Sequence, residues 1–274
     1  MKLLMLEPSC FEILYSINPF MQDAQGQLKK VDQSKALLQW SELKKTFESI
    51  EVEVEVLPAH KGYPDMVFCA NHALVQGKTV LLSHMNSKER LGEPELYRQW
   101  YELHSYKVVS AELLGKERLE GAGDALWSRD GNTLFAGYGF RSTKGAYAFA
   151  NEVFSPRKIV YLRLVDSNFY HLDTCFSVLD ENTVAIVESA FDSESLARIT
   201  ENFSKIIKVS RFEAIESMAV NCFCPDGKNV VLQHGAKEFV KELSSAGFSP
   251  IEVDTSEFIK AGGSVFCMKA VLQQ

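Results

Sequence analysis

The sequence predicts an α/β chain built of recurring strand–strand–helix units, and three observations predict it. Pairs of apolar, alternating segments recur about short turns of Gly, Asp and Asn. Stretches of helical periodicity lie between the pairs, and each chain end carries an apolar strand without a local partner.

The elements follow in order. Residues 3–6 read as the first strand and 32–48 as the first helix. Residues 51–56, Glu-Val-Glu-Val-Glu-Val, alternate as a half-exposed strand with a solvated acidic face. Segments 66–75 and 79–84 flank the turn Gln76-Gly77-Lys78, and 125–129 and 133–139 flank Asp130-Gly131-Asn132. Segments 175–179 and 183–188 flank Asp180-Glu181-Asn182, and 220–224 and 230–234 flank Pro225-Asp226-Gly227-Lys228. Helical periodicity recurs at 88–104, 143–154, 192–203 and 236–246. The four internal hairpins, with strands at 3–6 and 265–272, suggest a fifth unit completed from both chain ends, so that the chain closes into a ring. Closure removes exposed sheet edges and leaves a central cavity where the loops converge. A three-layer α/β sandwich is the alternative left open by these patterns.

At 274 residues and 46% hydrophobic content the chain can bury a large core. No Pro-, Gly- or Ser-rich linker divides it, so a single domain over 1–274 is expected. A formal charge of −7 argues against a nucleic-acid partner, which needs a clustered basic surface, and mildly favours a cationic substrate. The first eight residues lack a signal peptide's apolar segment, and no run approaches the ~18 to 20 apolar residues of a membrane span. A cytoplasmic location without membrane contact is therefore expected, with the six cysteines as thiols. Cys222 and Cys224 lack the second ligand pair of a zinc site and read as core packing. His60, His72, His84, His104 and His234 show no ligand spacing, and Trp40, Trp100 and Trp127 read as packing residues.

Four motifs carry parts of one chemistry. Gly262-Gly263-Ser264-Val265-Phe266-Cys267 places a thiol just inside an apolar strand, behind glycines that permit close backbone approach. His171-Leu172-Asp173 offers an imidazole and a carboxylate on one side of a strand or strand entry. Glu120-Gly121-Ala122-Gly123-Asp124 sets two acids around small residues, and Pro64-Asp65 enters an apolar run containing Asn71. Singly, each has a plain structural reading: cysteine is a common core residue, and acids at strand entries serve turns and caps. Together they hold what cleavage of a guanidinium requires: carboxylates for a planar fork of N–H donors, a strong nucleophile, and a proton donor for the departing amine.

Seven ordered motifs extend over almost the whole chain: Ile17-Asn18-Pro19-Phe20-Met21, Pro64-Asp65-Met66-Val67-Phe68 with Asn71, Arg90, Glu120 to Asp124, Gly137-Tyr138-Gly139-Phe140-Arg141, His171-Leu172-Asp173-Thr174, and Gly262-Gly263 through Cys267-Met268. In these the sequence resembles the guanidine-modifying, or pentein, superfamily of arginine deiminases, dimethylargininases, amidinotransferases and arginine dihydrolases. The resemblance implies a five-bladed α/β propeller of pseudo-fivefold ββαβ units. It implies Cys267 as the nucleophile of a covalent thiouronium-type adduct and His171 as the acid/base. Glu120 and Asp173 are implied as carboxylates that grip the guanidinium. Asp65, Asn18, Arg90 and Arg141 are implied to line the pocket or hold the substrate's amino-acid end, with Asp124 as a ligand or a structural partner. It implies a small guanidino substrate and no metal or organic cofactor, and leaves room for a homodimer.

Two departures bear on substrate. Asn71 stands where deiminases and dimethylargininases commonly carry aspartate, and an amide can hold a neutral ureido group as readily as a guanidinium. With the Asn18-Pro19-Phe20 segment this resembles arginine dihydrolase, which takes arginine to ornithine, carbon dioxide and two ammonia. Val265 and Phe266 replace the polar or basic residues of several relatives before the cysteine, which touches recognition of the substrate's tail. The alternatives are a dimethylargininase or deiminase giving citrulline, an amidinotransferase, and a non-catalytic propeller of the ribosome anti-association type. A thiol pKa lowered by cationic substrate and imidazolium is expected for Cys267. Residues 21–30, polar and flanked by motif residues, are the expected mobile loop.

Overall fold

The computed structural model describes residues 1–110, 112 and 115–273. Its first unit begins with β1 (Lys2–Leu6), crosses through α1 (Gln33–Ser49) and returns as β2 (Glu53–Leu57), parallel to β1. The helix forms because Asp32 accepts a hydrogen bond from the Lys35 N–H at 3.0 Å and because Ala36, Trp40, Leu43 and Phe47 recur on one buried face. The second unit is a hairpin, β3 (Ala73–Gln76) and β4 (Thr79–Leu82), then α2 (Glu93–Leu103) and β5 (Lys107–Val109).

A short helix, α3 (Gly121–Asp124), precedes the third unit: β6 (Ala125–Trp127), β7 (Thr133–Tyr138), α4 (Ala146–Phe154) and β8 (Lys158–Arg163). The fourth is β9 (Phe176–Val178), β10 (Thr183–Ile186), α5 (Ser193–Asn202) and β11 (Lys205–Lys208). After α6 (Arg211–Glu216), the fifth has β12 (Asn229–Gln233), α7 (Lys237–Ser245) and β13 (Ser249–Val253). In place of a leading strand it keeps a single antiparallel bridge, Phe223 to Val231. A last helix, α8 (Ser256–Ile259), leads to β14 (Ala270–Gln273), which pairs antiparallel with β1 and completes the first unit from the other chain end. Every unit thus repeats one pattern, an antiparallel neighbour followed by a parallel crossover through a helix.

Turn chemistry fixes the hairpins. Gly77, Gly131 and Gly227 hold φ of 55°, 69° and 76°. Where the turn has no glycine, the Asp180 carboxylate accepts from the Asn182 and Thr183 N–H groups at 2.7 Å each. The five long helices stand where periodicity places them.

Four predicted segments differ. Residues 66–72 form two 3₁₀ turns, Pro64–Val67 and Cys69–His72, because Pro64 opens the first and the apolar residues are buried without alternation. Residues 88–92 are not part of α2: Gly92 separates a 3₁₀ turn at Lys88–Arg90 from a helix with Pro94 in its first turn. Residues 220–224 keep only the Phe223 bridge, and the last strand begins at 270 instead of 265. The last two share one cause, the Asn221 side chain described below. Residues 21–30 form a small hairpin with a Gln22–Leu28 bridge, its tip held by the Asp23 carboxylate on the Gln25 and Gln27 N–H groups at 2.9 Å each.

Among the described residues no helix is long and apolar enough to cross a membrane. Nor is there a cluster of three or more His, Cys, Asp or Glu side chains placed to hold a metal ion. Cys222 and Cys224 are buried thiols, as the packing reading requires.

Candidate active site

Cys267 sits in a turn, not on a strand. The Asn221 Oδ1 accepts from the backbone N–H groups of Ser264 (3.0 Å) and Cys267 (3.2 Å), which diverts those donors from any sheet ladder. The same side chain donates through Nδ2 to the Cys267 Sγ and to the Asp173 carbonyl, both at 3.1 Å. One buried asparagine therefore fixes both the backbone and the sulfur of Cys267. Asn221 was not singled out from sequence, since it lies in an apolar run that reads as a strand. Gly262 makes the approach to this turn possible: at φ +86° a Cβ there would lie 2.4 Å from the Tyr170 hydroxyl and 2.8 Å from Asn18 Oδ1.

The Cys267 thiol donates to Asp173 Oδ2 at 3.1 Å. Burial, the charge of Asp173 and that hydrogen bond push the thiol well above its usual range, while burial raises Asp173 itself to about 6. The lowered thiol pKa expected from sequence depended on a cationic substrate and an imidazolium nearby; burial and Asp173 act in the opposite sense.

His171 caps a 3₁₀ turn, Leu172–Thr174, at the entry to β9, with its Nε2 2.6 Å from Glu120 Oε2. Glu120 also accepts from Arg141 Nη1 (3.1 Å) and from the Asn86 N–H (2.9 Å). Burial works to raise the Glu120 pKa, but Arg141 and the His171 hydrogen bond outweigh it and hold the carboxyl well below the usual carboxylate range. Asp124 faces away from this chemistry: its two oxygens accept from the backbone N–H groups of Leu172 (3.0 Å) and Ser142 (3.1 Å), tying the His171 segment to the Arg141 segment.

Asp65 lies on a 3₁₀ turn with Oδ2 accepting from Tyr15 at 2.9 Å. Burial raises its pKa, with Arg90 and Tyr15 pulling the other way. Arg90 grips the fully buried Glu93 through Nε (3.0 Å) and Nη2 (2.7 Å), donates to the Asp65 carbonyl, and gives Nη1 to Asn71 Oδ1 at 3.1 Å. Glu93, a charge partner not identified from sequence, is pushed up to about 7 by burial against the pull of Arg90. Arg141 lies 4.8 Å over the Tyr170 ring and donates to the Ile17 carbonyl at 2.7 Å.

One pocket gathers most of these residues. Asn18, Asp65, Asn71, Arg90, Arg141, His171 and Cys267 all line it. Glu120 and Asp173 do not; they stand fully buried behind His171 and Cys267 respectively, and Asp124 lies outside it as well. Asn18 is committed to structure, accepting from the Phe20 N–H and donating to the Ala261 carbonyl at 2.9 Å each. Three buried polar atoms at or behind this wall have no hydrogen-bond partner among the described residues: Asp65 Oδ1, Asn71 Nδ2 and Asp173 Oδ1.

The family model for N,N dimethylarginine dimethylhydrolase, eukaryotic, matches residues 7–273. The chain belongs to this family. It is 35% identical over 263 residues to the N(G),N(G)-dimethylarginine dimethylaminohydrolase of Mycobacterium tuberculosis, covering 96% of this chain and 83% of the relative. It is also 37% identical over 268 residues to the bifunctional arginine dihydrolase/ornithine cyclodeaminase ArgZ of Synechocystis, covering 97% of this chain. The chain spans 37% of that relative's length. The solved N-terminal domain of ArgZ, an arginine dihydrolase of the cyanobacterial ornithine-ammonia cycle captured as a mutant bound to substrate, superimposes with a TM-score of 0.91 at 34% identity, covering 98% of this chain and 97% of that one. The dimethylarginine dimethylhydrolase family and the dihydrolase domain therefore meet in one fold.

Proposed function

We propose that residues 1–274 form one domain with arginine dihydrolase activity, taking arginine and two waters to ornithine, carbon dioxide and two ammonia. The observation that carries the reading is the set of unpartnered polar atoms around His171 and Cys267: two carboxylate oxygens, on Asp65 and Asp173, and one amide N–H group, on Asn71. Carboxylate oxygens suit a guanidinium, which carries only donors. An unpartnered N–H group suits an acceptor, and arginine acquires one at its guanidino carbon only after the first water has added. The structural likeness to the N-terminal domain of ArgZ supports the same activity.

In the proposed sequence the substrate cation lowers the Cys267 pKa by its charge, the thiol passes its proton to His171, and the thiolate adds to the guanidinium carbon. His171, held by Glu120, gives its proton to the departing ammonia and then takes one from the water that opens the thiouronium adduct, leaving a ureido product and a thiolate. Asn71 Nδ2 donates to the new oxygen and keeps the product against Cys267. A second attack expels the second ammonia, and hydrolysis of the resulting thiocarbamate releases carbon dioxide and ornithine. Asp65 grips the guanidinium from the pocket wall, Asp173 turns its free Oδ1 toward it from behind Cys267, and Arg90 and Arg141 supply positive charge beside the substrate's amino-acid end. None of these steps draws on a metal or an organic cofactor. For the whole molecule the proposal is a five-bladed propeller, supported by the five repeated sheets and the β14–β1 closure.

Dimethylarginine hydrolysis is the second reading, favoured by the family model. Product analysis separates the two. Arginine yielding ornithine and two ammonia, abolished in Cys267→Ser, is the expected result. Citrulline with one ammonia, or turnover of dimethylarginine alone, overturns the dihydrolase.

A further inference from the structure

A second cavity, of about 530 Å³, is lined by inner strands of the sheets, among them β3, β6 and β14, and lies apart from the pocket at Cys267. That volume lies within the range of small-molecule sites. Its lining is mainly apolar and includes Trp127, Phe223 and Phe266. In a chain with a net charge of −7 its lining contains, among the described residues, two cationic side chains, Lys269 and Arg129, and no carboxylate side chain. Arg129 spends Nη1 and Nη2 on the Cys224 and Pro225 carbonyls at 3.0 and 2.8 Å. Lys269 is fully buried and its Nζ has no hydrogen-bond partner among the described residues.

A buried amine without a partner is costly to leave so. The ammonium lies 3.0 Å from the Phe266 ring centroid and 4.4 Å from that of Phe223, contacts that attract a cation but satisfy none of its three N–H donors. Burial lowers the Lys269 pKa to about 7, with Asp173 and Cys267 pulling the other way. An anion reaching this nitrogen gains a charge-assisted hydrogen bond and restores the ammonium.

We propose that this cavity is a binding site for a small amphipathic anion, a monocarboxylate with an apolar body, whose charged end pairs with Lys269 while its body fills the space between the strands. The amine serves no step of the reaction proposed above, and it lies two residues from Cys267. An occupant is therefore placed to communicate with the catalytic turn.

Calorimetric titration of the intact protein with decanoate and with 2-naphthoate tests the site, beside decylamine and decanol. Saturable one-site binding of either carboxylate, weakened at least tenfold in Lys269→Met and lost in the cavity-filling Val178→Trp, is the expected result. Binding of decanoate alone assigns the site to acyl-chain acids, and binding of 2-naphthoate alone to aromatic acids. Lys269→Met removes a buried unpaired cation and should fold at least as well as the parent, so loss of binding there is not loss of structure. No saturable binding of either carboxylate, equal affinity in Lys269→Met, or decylamine or decanol binding as tightly overturns the proposal.

Discussion

The Asn71 side chain has one acceptor and one donor to place, and Arg90 takes the acceptor. The Arg90 guanidinium carries no acceptor, so the amide oxygen must face it and the N–H group is left for the pocket. The sequence showed that an amide stood where relatives carry a carboxylate, but not which end of it was free; that depended on Arg90, nineteen residues away in the chain. Asn71→Asp replaces the free donor with a second acceptor. Ammonia released per arginine should then fall from two toward one with citrulline accumulating, as product counting would reveal, and an unchanged count of two would contradict the role of this amide. Asp173 gives a pH signature. With its pKa raised to about 6, the anion proposed to meet the guanidinium is lost as pH falls through that value, so kcat/KM should drop about tenfold per pH unit below it. Stability runs the other way for this group. Its folded-state pKa exceeds the ordinary 3.8, the folded chain binds the extra proton between the two values, and Asp173's contribution weakens as pH rises through that window. Denaturant midpoints of Asp173→Asn against the parent across pH 4 to 7 should therefore diverge in the variant's favour toward pH 7.

Elements decide where the side chains can point. Helices were readable because caps and apolar stripes are local: Asp32 and Asp192 each accept from the N–H group three residues on. The turn that carries Cys267 was not readable as a turn, because what breaks the strand at 265–269 is a pair of backbone hydrogen bonds accepted by the Asn221 side chain, more than forty residues earlier. Residues 66–72 were misread for a similar reason, their burial on all sides imitating a strand's apolar run. Asn221→Ala leaves two buried N–H groups without their acceptor and the Cys267 sulfur without a donor. We expect a stability loss of about 1 to 3 kcal/mol by urea denaturation and a fall in kcat larger than any rise in KM. A KM effect alone would mean that Asn221 shapes the pocket instead of the nucleophile.

At the scale of the whole molecule, the count of units was legible because each hairpin carries its own turn chemistry, as at Asp130-Gly131-Asn132 and Asp180-Glu181-Asn182. The two unpaired terminal strands foretold their pairing, and Leu3 and Leu4 of β1 indeed face Val271 and Ala270 of β14. The second cavity was not legible, since strands from separate units form it and its lysine reads in sequence as one more surface charge. Deleting residues 270–274 removes the buried Ala270 and Leu272 and exposes an edge of β1. That truncation should cost about 3 kcal/mol or more in thermal or urea unfolding, whereas an unchanged midpoint would show that the closure contributes nothing to stability. The central claim is that the turn held by Asn221 presents Cys267 to the guanidinium carbon of arginine. Acid-quenched mass spectrometry of the protein turning over arginine tests it most directly. The account predicts a Cys267 peptide heavier by arginine less ammonia, absent in Cys267→Ser, and steady turnover with no adduct there and full activity in that variant would contradict it.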